Sequence, residues 1–96
     1  MSDTVTHDVQ TTVGAYLKEV PAALGHMDYH VVGDRVIAHQ GDKTVVIQLT
    51  YEGERHLGSL DLPMTKVDVT CIGFSGNEAQ EFHNSYNEHM MRSGGG

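Results

Sequence analysis

The chain has 96 residues, 39% of them hydrophobic, enough for one modest core and too few for a second. Thirteen acidic against six basic residues give a formal net charge of −7, which opposes approach to phosphate backbones or anionic lipid, so neither nucleic acid nor membrane is an expected partner. A single cysteine excludes an internal disulfide, and with no apolar run long enough to cross a bilayer and no basic, apolar leader, cytoplasmic residence is the expectation.

At the start of the chain, Val5, Val9, Val13, Tyr16, Val20 and Leu24 recur at helical spacing, which predicts one amphipathic helix with His7, Gln10, Thr11, Gly14 and Lys18 on its solvent side. Gly14 and the β-branched residues make that helix intrinsically weak, so packing has to hold it. Pro21 lacks an amide proton and disfavours helical geometry at Val20, predicting a kink or break followed by a short turn that ends at Gly25.

From Asp28 to Phe74 the pattern changes to strand-like alternation punctuated by Gly33-Asp34, Gly41-Asp42, Glu52-Gly53 and Pro63-Met64. Four two-residue turns predict five strands in meander order. In that register Val31, Val36, Ala38, Val45, Ile47, Leu49, Leu60, Leu62, Val67 and Val69 share the inner face, while Arg35, Gln48, Thr50, Arg55, Ser59, Asp61, Lys66, Asp68 and Thr70 point outward. Asp61 would then stand across from Lys66.

A second helix follows. Ser75 can cap it while Glu78 reaches back, as in a capping box. Ala79, Phe82, His83, Tyr86 and Met90 form its apolar stripe, and Arg92 suits the negative end of its dipole. Ser93-Gly94-Gly95-Gly96 predicts a flexible Gly-rich tail, leaving residues 1–92 as a single α+β domain.

The resulting order is α-β-β-β-β-β-α, with two helices packed on one face of a five-stranded antiparallel meander. By topology it resembles the frataxin-like layout. The resemblance implies that architecture and carries no site, since a shared fold does not fix a function.

Motifs for chemistry are sparse. No Gly-rich phosphate cradle, nucleophile elbow, paired catalytic carboxylate or zinc-protease helix is present, and no catalytic residue or cofactor-binding residue is assigned. Gly73-Phe74-Ser75-Gly76 reads as a glycine-flanked helix cap.

Seven histidines direct attention to weak divalent metal binding. His83 and His89 are six residues apart and project from different sides of a helix, so they cannot chelate together. Two other sets can be drawn. One is Asp28, His30 and His39 on the outer face of the first hairpin; the other is Cys71 with His56, across the inferred last hairpin, and His83 above it on the returning helix. In the second set the imidazoles would also lower the thiol pKa.

Ile37, Val46, Leu57 and Ile72 point outward in this register. Together they form a candidate patch for self-association or partner docking. The closing Gly95-Gly96 resembles the carboxy-terminal diglycine of ubiquitin-like sulfur carriers, which implies activation of Gly96 as an acyl-adenylate. Those carriers feed the tail from a strand, whereas here a helix precedes it. The expected function is a non-enzymatic binding or accessory domain acting as a homodimer or on a protein partner. Metal delivery and sulfur or acyl transfer are the alternatives.

Overall fold

The computed structural model describes residues 2–92. Along them run β1 (Ser2–Val9), α1 (Val13–Leu24), β2 (Asp28–Val32), β3 (Arg35–Gln40), β4 (Lys43–Leu57), β5 (Leu60–Ile72) and α2 (Glu78–Arg92). The strands make one open antiparallel sheet in the order β1-β5-β4-β3-β2. Tyr16, Val20 and Leu24 of α1 and Tyr86 and Met90 of α2 pack with Val36, Ala38, Val45, Ile47, Leu49, Val67, Val69 and Cys71, so both helices cover the same sheet face.

The α+β class, the two helices and the five antiparallel strands are those the sequence led us to expect. Their order is not: the chain runs β-α-β-β-β-β-α, which is not the frataxin-like element order. The expected first helix is a strand over its first quarter. Val5 and Val9 are four residues apart, a spacing that puts them on one side of a strand as well as of a helix, and Ser2–Val9 is rich in β-branched residues. Pairing with β5 decides between the two, with Val5 opposite Val69 and Val9 opposite Thr65. Thr12 then starts the helix, its Oγ1 accepting from the amide of Ala15 at 3.2 Å. The connection is anchored where the Thr65 hydroxyl donates to the Thr11 carbonyl at 2.7 Å.

Pro21 does not end the helix. Residues 13–24 remain one helix because Val20 and Leu24, on either side of the proline, are both in the core. Gly25 closes it, donating its amide to the Ala22 carbonyl at 3.3 Å.

The turns at Gly33-Asp34 and Gly41-Asp42 lie where the dipeptides place them. Glu52-Gly53 and Pro63-Met64 are not turns. Gly53 stands opposite Met64 and Glu54 opposite Pro63 inside one long hairpin whose loop is Gly58-Ser59. The register shifts between Tyr51 and Gly53, and Gly53 has φ +87°, the positive value that lets one strand take an extra residue as a bulge. The fifth strand missing from the expected set is supplied by β1.

This hairpin outruns its neighbours. β3 flanks β4 only as far as Gln48 and β1 flanks β5 only from Thr65 onward, so residues 53–57 and 60–64 pair with nothing but each other. A projecting two-stranded arm results, in a molecule 47 Å long and 25 by 23 Å across. For that reason Leu60, expected inside, is 61% exposed and Leu62 is half-buried. Asp61 faces His56, not Lys66.

At the start of α2 the sequence signal holds in part. The Glu78 carboxylate accepts from the Ser75 amide at 3.1 Å, as a capping box requires, and from the Ser75 hydroxyl at 3.0 Å. The preceding Gly73 sits so close to β4's entry that a Cβ there would lie 2.3 Å from the Asp42 carbonyl oxygen. The Gly-rich tail lies outside the described residues.

Candidate functional site

Three places gather the residues singled out by the sequence. The first is the inner face beneath α2. Cys71, near the end of β5, is 1% exposed, and its Sγ lies 3.6 Å from Nε2 of His83, itself buried. The expected pass of His83 over Cys71 is therefore present. His56 is not: it stands on the projecting arm, exposed and hydrogen-bonded to Asp61. Its displacement follows from the absent Pro63-Met64 turn, because the true register puts Val45 and Asp3, not His56, opposite Cys71.

Electrostatics at Cys71 run against a reactive thiolate. Burial pushes the thiol up, the nearby Asp3 carboxylate adds to the shift, and the thiol lies at about 11. Cys71 and His83 act as a buried polar contact that joins α2 to the sheet.

The second place is the first hairpin. Asp28 pairs with His39, and the rings of His30 and His39 meet edge to face with centroids 6.3 Å apart. Nδ1 of His39 is 3.3 Å from the Thr44 hydroxyl. All three of Asp28, His30 and His39 are exposed on the sheet face away from the helices. Among the described residues no group of three or more His, Cys, Asp or Glu side chains is arranged to hold a metal ion.

The third place is apolar surface. Ile37 and Val46 are direct cross-strand partners on the outer face, each half-buried by its neighbours. Ile72 belongs to the same region: it pairs with Thr44, while Val46 pairs with Thr70 two residues away on β5. Leu57 does not extend this patch. It sits at the tip of the arm, opposite Leu60.

A different apolar surface was missed by sequence reasoning. β2 is the outermost strand, and every one of its five residues is exposed. Val36 and Ala38, the partners of Val31 and Tyr29, are fully buried, so Val31 and Tyr29 point to the helix side of the sheet. Yet they are 51% and 42% exposed, and Val32 is 62% exposed. The helix pair stops short of this strand. Alternation correctly gave Val31 its side; what covers that side was not written in the spacing.

The opposite edge is different. β1 carries Asp3, His7 and Asp8 along an otherwise Thr- and Val-rich strand, charges of the kind that keep open edges from pairing. Glu52, at the bulge where the arm begins, shares a hydrogen bond with Asp8 that pushes its carboxyl above the usual carboxylate range. β2 has one acidic residue, at its first position, and no Lys, Pro or bulge.

No protein-family model matches the chain, and no curated protein matches it. Among the described residues no helix is long and apolar enough to cross a membrane.

Proposed function

We propose that this chain is a non-enzymatic protein-binding domain that self-associates through its sheet. The observation that carries the reading is the bare β2 edge, with Tyr29, Val31 and Val32 in water beside an unpaired row of backbone donors and acceptors. Such an edge is a template for another strand. Backbone hydrogen bonds would supply the affinity, and burial of the strip that the helices leave uncovered would add to it. The half-buried Ile37 and Val46 contribute less, because most of their apolar area is already removed from water.

Sedimentation velocity between about 10 and 500 µM tests this, a range set by the small area that one short strand can bury. The expected result is a monomer–dimer equilibrium that Val31→Lys shifts to monomer and Val46→Lys leaves in place, with far-ultraviolet circular dichroism unchanged in both variants. A monomer throughout the range removes the reading.

A further inference from the structure

The side chains of β2 also indicate what covers it. When two copies of an edge strand pair antiparallel about a two-fold axis, residues directly opposite each other lie on the same side of the sheet, and a register is fully described by the residue on the axis. Of the registers available to Asp28–Val32, the one centred on His30 pairs all five residues. Centring on Tyr29 leaves Val31 and Val32 unpaired, and centring on Val31 leaves Asp28 and Tyr29 unpaired.

The His30 register is also the self-complementary one. On the helix side it sets Tyr29 against the partner's Val31, and by symmetry Val31 against the partner's Tyr29. Aromatic and β-branched residues make favourable cross-strand neighbours. On the outer side it sets Asp28 against the partner's Val32. Because Val32 pairs with Arg35 within each copy, the partner's Arg35 lies one strand further along the same row. Opposite charges therefore share a row twice across the axis, and neither of the other two registers brings them there. The guarded β1 edge, with Asp3 and Asp8, stops the sheet from growing at its other side, so the assembly closes as a dimer.

We infer that the partner at this edge is a second copy of the chain, paired antiparallel through β2 with His30 on the two-fold axis, so that two five-stranded sheets become one continuous sheet. The inference rests on the self-association proposed above and adds its location and register. Five residues per copy is a small contact beside the 20–30 a side of a standard interface, which places the dimer among weak, concentration-dependent ones.

Disulfide trapping reads the register. In His30→Cys the two positions on the axis would have Cα atoms about 4.5–5.5 Å apart, within the span a disulfide bridges. Mild oxidation at about 200 µM, chosen for a weak dimer, should give a covalent dimer on non-reducing gels. Native Cys71 is 1% exposed and does not compete. Tyr29→Cys and Val31→Cys are the controls, because in this register each lies diagonal to its own copy, about 8 Å away, beyond disulfide reach. Each should cross-link at least about tenfold more slowly than His30→Cys, as that separation requires. Faster cross-linking at position 29 or 31 overturns the register. No cross-link from any of the three, in a protein that still sediments as a dimer, overturns the β2 assignment while self-association stands. A monomer in sedimentation removes both.

Discussion

The hydroxyls of Tyr16 and Tyr86 meet 2.9 Å apart between α1 and α2, and they make the sharpest energetic test of how the helix layer is held. The two residues are 2% and 4% exposed. Among the described residues no buried side-chain nitrogen or oxygen lacks a partner. Tyr86→Phe removes one hydroxyl and strands the other, so the cost is the lost hydrogen bond plus desolvation of Tyr16, about 1–3 kcal/mol. Tyr16→Phe should cost a similar amount by the same argument. The double variant removes both polar groups, leaves nothing stranded, and should lose only the net worth of one hydrogen bond, about 0.5–1.5 kcal/mol. Urea unfolding of the four proteins, followed by circular dichroism, measures the cycle. Each single substitution should lower the melting temperature by roughly 4–8 °C per kcal/mol in a chain of this size. Additive losses, with the double variant equal to the sum of the singles within about 0.5 kcal/mol, would refute the reasoning. The same pair gives a pH dependence. Burial raises Tyr86, with Tyr16 beside it adding to the shift, and burial raises Tyr16 against the lowering effect of the hydrogen bond from Tyr86. A raised folded-state value means that this stability is fully present below the unfolded tyrosine value near 10 and is lost as pH rises above it.

Two further outcomes are expected. Cys71, pushed from an ordinary value near 9 to about 11, should react with a thiol reagent at pH 8 about a hundredfold more slowly than an unfolded cysteine, as its lower thiolate fraction requires, and reach the full rate only in denaturant. Reaction of the native protein at the unfolded rate would show that the thiol is not buried under α2. Lys43 donates to the Glu78 carboxylate at 2.6 Å, and with the Ser75 amide and hydroxyl it holds that carboxyl down at about 2. This depressed value contributes stability that is present above the unfolded glutamate value near 4.3 and disappears as pH falls toward 2. Lys43→Met should raise the Glu78 midpoint in a side-chain carboxyl NMR titration and flatten the acid limb of the stability curve. An unmoved midpoint would assign the effect to Ser75 alone.

What the sequence determined by itself is what near neighbours in the chain can determine. The Ser75 to Glu78 contact spans three residues, and the Gly33-Asp34 and Gly41-Asp42 turns close on the strands beside them, so each was legible from a few adjacent letters. The inner row Val36, Ala38, Val45, Ile47, Leu49, Val67 and Val69 was legible because strand periodicity fixes the side on which each residue projects. The fate of Ser2–Val9 was not, since Val5 and Val9 satisfy both periods and the choice was made by β5, more than fifty residues away. Nor was the arm, where the bulge at Gly53 takes up one extra residue inside a continuing strand and Pro63 sits opposite Glu54 on the far strand. Cys71 and His83 came together as expected because a strand and the helix that returns over it have known rises, but His56 was lost with the misplaced turn. The exposed β2 edge belongs wholly to the tertiary structure. Alternation says which way Tyr29 and Val31 point, and only the docking of α1 and α2 over the neighbouring strands leaves them exposed among the described residues.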